Sequence, residues 1–229
     1  NGDINITALG GSVLSSGVIT AYAGALNLTA TGDITANEAV GANKAVSLTT
    51  TAGGISVNQL SSASAGVNLN AVNGITTNAP INVHAGIISL KSSGAAGDVR
   101  INGDLIHQND AAIAGQTLID VSSGRDIVLN NANLATYTTG NIALSAGRNI
   151  TAQFSAANQS NSITAGPGDV TIQAGGSIAP SGALSGNQLY ISGANLTLSA
   201  GGSGSGTFSM LGDLYATYAP AGAISISGA

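Results

Sequence analysis

The feature that most constrains this chain is a tandem repeat running from Ala25 to Ala85. Written as three lines, ALNLTATGDITANEAVGANK, AVSLTTTAGGISVNQLSSASA and GVNLNAVNGITTNAPINVHA stack on one another with a period of about 20 residues, the size of one solenoid coil. Each line opens on an apolar-x-apolar pair (Leu26/Leu28, Val46/Leu48, Val67/Leu69), crosses a short polar stretch holding glycine and reaches an isoleucine (Ile34, Ile55, Ile75). It then closes through a weaker apolar point and a polar, Ala-rich turn. Strict alternation at the start of the unit, Thr, Asn, Val and Ile along it and glycine every few residues read as short strands joined by tight turns, not as helices.

A coil of three short strands fits this unit. The apolar member of each alternation then points into a tube and the Ser, Thr or Asn points to water. Backbone N–H and C=O groups bond the coils above and below, so a coil is stable only in a stack. The predicted fold is all-β: a right-handed single-stranded parallel β-helix of about ten coils, roughly 45 Å long at about 4.8 Å per step.

The rest of the chain carries the same signal with interruptions. Residues 1–24 read as an irregular coil, with Ile4/Ile6 as its opening pair and Val13, Val18 and Tyr22 beyond. Residues 91–116 are a longer excursion that still alternates at Val99 and Ile101, which predicts one coil with an inserted hairpin or a widened loop. The register returns at Ile119/Val121 with Ile127, at Ile142/Leu144 with Ile150, and at Val170/Ile172 with Ile178. In five of the coils the isoleucine lies six positions after the second member of the pair, so one corner is constant while the other turns absorb the length variation. That corner is written Gly32-Asp33, Gly53-Gly54, Asn73-Gly74, Arg125-Asp126 and Arg148-Asn149, residues that reach turn conformations cheaply or bond a turn's backbone. From Gln188 the pattern loosens. Leu189/Ile191 and Leu196/Leu198 compete for one role, GGSGSG at 201–206 reads as a flexible connection, and Ile224/Ile226 open a last coil.

Composition narrows the partners. Only 7% of the 229 residues are charged, against about 25% in ordinary domains, so Ser, Thr and Asn must keep the surface wet. The net charge is -5 and the cations are Lys44, Lys91, Arg100, Arg125 and Arg148 alone; no basic stripe exists to neutralise phosphates, which argues against nucleic acid. The absence of cysteine removes disulfides, thiolate metal sites and cysteine nucleophiles. No apolar run is long enough to span a bilayer, and the chain starts in mid-repeat without a signal-peptide pattern. Residues 1–229 therefore read as a single repeat domain, a piece of a longer polypeptide.

The motifs GDITA at 32–36, GNIALSAGRNITA at 140–152 and LTLSAGGS at 196–203 resemble the stem repeats of filamentous haemagglutinin-like exoproteins, the large adhesins of two-partner secretion in Gram-negative bacteria. The resemblance covers most of the chain. It implies a parallel β-helix exported to the cell surface, used in adhesion or to hold a distal binding or toxin module away from the cell. The Asn-Pro-Asn motif of that family's amino-terminal secretion domain does not occur, so the resemblance is to the stem.

Parallel β-helices also include polysaccharide lyases and hydrolases, whose clefts need clustered carboxylates with cationic partners. Here nine Asp and one Glu are dispersed, and Asp33, Asp104, Asp126, Asp169 and Asp213 sit at turns beside Gly or Arg. The chain is accordingly expected to be no enzyme and to need no cofactor. Thr-x-Thr at Thr29/Thr31 and Thr49/Thr51 gives way to Asn70/Val72, too short a run for an ice-binding array. His84 and His107 lack neighbouring ligands for a metal. Two candidate binding sites remain. The first is a polar loop cluster of Lys91, Asp98, Arg100, Asp104, His107 and Asp110, suited to a glycan or a cation. The second is an aromatic patch of Tyr190, Phe208, Tyr215 and Tyr218, able to stack on a sugar or a protein or to fill a wide coil. Expected partners are a cell-surface glycan or protein receptor, or further copies of the chain added end to end into an extracellular fibre.

Overall fold

The alternating pairs of the sequence come to lie directly above one another. In the computed structural model, which describes residues 2–108, 115–137, 139–182, 184–202, 206–216 and 222–228, they form one ten-stranded parallel sheet. It runs from Ile4–Ala8 through Leu26–Ala30, Val46–Thr50 and Gly66–Ala71 to Ile224–Gly228. Leu28 pairs with Leu48 and Leu48 with Leu69, and all three are buried. Alternation places every second side chain inside, which is why the Leu26–Ala30 and Val46–Thr50 strands bury their first, third and fifth residues and leave the second and fourth at the surface.

The isoleucine behind the constant corner starts a second face. Val13, Ile34, Ile55, Ile75, Val99, Ile127, Ile150 and Ile178 pair in succession, one per coil. A third face follows, on which Ile19, Val40, Leu60, Ile81, Leu105, Leu134, Ile163, Ile191 and Leu214 form the inner column. Strands Ile34–Ala42 and Ile55–Ser62 run unbroken round the bend between these faces, which joins both into a fifteen-stranded sheet. The result is a three-sided parallel β-helix, and no helix occurs among the described residues. Its interior is one continuous apolar cluster from Val13 to Ala200.

The corners are built by short polar side chains that bond the coil above. Asp33 Oδ1 accepts from Gly54 N (2.7 Å), Asp126 Oδ1 from Asn149 N (3.0 Å) and Asn149 Oδ1 from Ser177 N (3.0 Å). A second ladder at the entry to the first face repeats the device: Asn141 accepts from Asp169 N, Asp169 from Asn195 N and Asn195 from Ala223 N. Turn backbone groups that would otherwise lack partners are thereby satisfied from coil to coil. At the same entry, Gly66 and Gly86 have φ of 94° and 82°, and a Cβ on Gly66 would lie 2.5 Å from Ile87 O. Glycine alone fits there.

Two expectations change and a third resolves. Residues 2–24 make a regular coil of three strands, in which Ile19 takes the inner place while Val18 and Tyr22 are exposed. The excursion after Lys91 takes the second of its two expected forms: among the described residues it holds no hairpin but a widened corner at 93–98, after which Val99–Ile101 and Leu105–His107 resume parallel pairing. Leu189/Ile191 and Leu196/Leu198 do not compete, because the first pair lies on the third face of one coil and the second opens the first face of the next. Residues 203–205 of the glycine-rich connection lie outside the described residues.

Candidate functional site

The widened corner is where charge collects. Its extra residues make a tight turn, closed by Gly97 N donating to Gly94 O at 2.9 Å. Gly97 has no room for a side chain, since a Cβ would lie 2.2 Å from Ser92 Oγ and 2.6 Å from Val72 O. The turn delivers Asp98, nearly buried, to the foot of the second face. Arg125, at the same corner one coil further, lays Nε and Nη2 on the two carboxylate oxygens of Asp98 at 2.5 and 2.6 Å. Arg100 adds Nη2 to Asp98 Oδ2 at 2.7 Å. The motif recurs one step on, where Arg148 bonds both oxygens of Asp126, with Nε at 2.8 Å from Oδ1. All three arginines of the chain meet at this one ladder.

The electrostatics follow from these forks. The Arg125 guanidinium holds the Asp98 carboxyl below its ordinary range, against the opposing effect of burial. Arg148 does the same for Asp126, helped by the Asn149 N–H. Charge-assisted, two-pronged pairs of this kind are the stronger class of hydrogen bond.

Beside the ladder runs a shallow groove of about 400 Å³ along the second face. Its floor is a row of outward side chains in strict register, Thr35, Ser56, Thr76 and then Arg100. Asp33 and Asn73 line the rim, and Asp98, Arg100 and Arg125 form the closed end.

Of the six residues of the expected loop cluster, the structure brings together only Asp98 and Arg100. Lys91 points from the first face and pairs with Asp120 at 3.0 Å, at the end of a separate groove of about 710 Å³. Asp104 is a corner ligand, its Oδ1 accepting from Asn133 N at 2.8 Å. His107 is inside the tube, 1% exposed, with Nε2 2.9 Å from Gly86 O. It stacks in register between Val83 and Thr136, so it cannot belong to a surface loop. Asp110 lies outside the described residues. Arg125 and Arg148, which complete the real cluster, were visible in the sequence as successive corners; stacking Gly97-Asp98 under Arg125-Asp126 and Arg148-Asn149 is the signal that finds them.

The aromatic patch contracts to a pair. Tyr190 and Tyr215, outward on the third face in adjacent coils, have ring centroids 5.2 Å apart. Tyr215 donates to Asp213 Oδ2 at 3.0 Å, which raises the pKa of its phenol. Phe208 instead bridges to Ile178 and packs against the core, filling an irregular coil. Tyr218 lies outside the described residues.

Among the described residues no group of three or more His, Asp or Glu side chains gathers as a metal site, and no helix is long and apolar enough to cross a membrane. The fold and these sites define a parallel β-helix repeat protein. Comparison with protein-family profiles, with curated proteins and with solved structures finds no match to any of the three.

Proposed function

We propose that this chain is a stretch of a non-catalytic adhesin stem, a secreted rod at a bacterial surface that presents binding faces or a distal module to a glycan or protein receptor. One observation carries the non-catalytic part. Every described aspartate has a structural partner: Asp3, Asp33, Asp104 and Asp169 accept backbone N–H groups from the next coil, Asp98, Asp120 and Asp126 pair with cations, and Asp213 holds Tyr215. A lyase or hydrolase needs carboxylates free to move protons on substrate, and these aspartates are engaged with backbone amides, cations or a phenol. The surface placement rests on the stem-like motifs at 32–36, 140–152 and 196–203.

The test is the behaviour of the purified chain. A monomer near 22.0 kDa that adheres to cells supports the stem. Concentration-dependent fibres would instead support a structural subunit that assembles end to end, and turnover of polysaccharides would overturn both readings.

A further inference from the structure

We propose that the groove on the second face binds a saccharide bearing a single carboxylate, a short neutral sugar chain ended by one uronic acid, with that carboxylate seated on Arg100 and sugar hydroxyls on the Ser/Thr row. The proposal rests on the reading of the chain as an adhesin stem and gives that stem a ligand class.

Charge comes first. At one end of the groove Arg100 and Arg125 face a single aspartate, Asp98, a local excess of one positive charge in a chain of net charge -5. Arg125 and Arg148 are each engaged with both oxygens of one carboxylate. Arg100 gives Nη2 to Asp98, and its other N–H donors meet no acceptor among the described residues. Its side chain is 48% exposed and lines the groove. Asp98 also holds the guanidinium in place, so a ligand meets a fork that is already oriented; planar two-pronged recognition of a carboxylate is what arginine does best. A single excess charge suits a monoanion, and a second negative group would meet Asp98.

The floor selects the rest of the ligand. Thr35, Ser56 and Thr76 repeat at the coil spacing of about 4.8 Å and each hydroxyl can donate and accept. No aromatic or large exposed aliphatic side chain lines the groove, so an apolar ligand would bury little, whereas a hydroxyl-rich chain finds partners along its length. The volume of about 400 Å³ is in the range of small-molecule sites. Asp33 at the far end disfavours a second carboxylate there, which sets the polarity of the bound chain.

Calorimetry with cellobiouronic acid, a disaccharide with one carboxylate, with neutral cellobiose and with dextran sulfate tests this. The expected result is binding of the cellobiouronate alone, weakened by added salt. Arg100→Gln should weaken it roughly tenfold or more, the loss of a charge-assisted pair, and Arg100→Lys should recover part of it. Lys91→Gln, on the first face, should leave it unchanged. If Arg100→Gln does not fold, Thr76→Val provides the second variant and should also weaken binding. Absence of binding, equal affinity for the neutral chain, preference for dextran sulfate, or indifference to both groove variants would each overturn the proposal. The two readings fail separately: a monomeric rod that adheres to cells but ignores cellobiouronate sinks the groove alone, whereas fibres that still bind it through Arg100 sink the stem alone.

Discussion

At the scale of single residues, His107 shows how position in the tube overrides residue type. The inner column at the end of the third face reads Ala21, Ala42, Ser62, Val83, His107 and Thr136. Its polar members all serve the turn into the first face: Ser62 donates to Lys44 O at 2.7 Å, Thr136 to Gly140 O at 2.9 Å, and His107 shares Nε2 with Gly86 O. Because a carbonyl accepts at Nε2, the proton sits there, and Nδ1 is left without a partner among the described residues. A second proton would have to enter at Nδ1, which is buried in the tube, so desolvation lowers the histidine pKa in the folded state. The sign for stability then follows. Above about pH 6.5, the unfolded value, both states are neutral and His107 costs nothing. As pH falls below that, the unfolded chain takes up the proton first, and stability drops until the depressed folded pKa is passed. Urea unfolding at pH 8 and pH 5.5 should therefore show a loss that is abolished by His107→Thr, which puts in this place the residue type that Thr136 supplies one coil further on. An unchanged loss in that variant would place the titration elsewhere.

At the scale of strands and corners, what was legible in the sequence depended on redundancy. The first face was plain, since each strand carries two inward residues spaced by one, and an isolated pair such as Leu26/Leu28 already declares its parity. The second face was legible through the isoleucine at a fixed distance. Much of the third was not: a lone Leu60 among polar neighbours, or Val40 between Ala39 and Gly41, states no period, and only pairing with the neighbouring coil shows which way it points. For the same reason the loop cluster of Lys91 to Asp110 was misread. The five of these polar residues that are described, close in sequence, are set on two different faces, at two corners and in the interior once the chain winds round the tube. The corner ladder makes a graded prediction. Asp126 holds both the Asn149 N–H and Arg148, while Asp33 holds one N–H. Asp126→Ala should cost more than Asp33→Ala, whose single N–H bond is worth about 1 kcal/mol, because it leaves both the Asn149 amide and the Arg148 guanidinium unpaired. Equal losses in denaturant titrations would show that the arginine fork adds nothing. Asp126 stabilises the fold above the unfolded aspartate value of about 3.9, and that contribution is lost as pH falls from there through its lowered folded pKa.

At the scale of the whole molecule, a stack in which each coil touches only its neighbours should tolerate loss of an entire coil but not of a fraction of one. Excision of Val46–Ala65 removes one turn and joins Ala45 to Gly66. Leu26 and Leu28 then lie beneath Val67 and Leu69, Ile34 beneath Ile75, and Val40 beneath Ile81, each an aliphatic pair of the kind already found one coil apart. The corner also survives, because Asp33 Oδ1, which accepts Gly54 N, would find Gly74 N at the equivalent place. The shortened chain should keep its strand circular dichroism, lose about 4.8 Å of length, and unfold with a denaturant slope reduced by about one part in ten, in proportion to the surface lost. Excision of Leu48–Leu69 is the contrasting case. It joins Ser47 to Asn70 and turns a polar amide inward where a leucine belongs, so every downstream residue of that strand changes face. That variant should fail to fold. If both deletions fold alike, or both fail, the stacking of whole coils in register is not what holds the rod together.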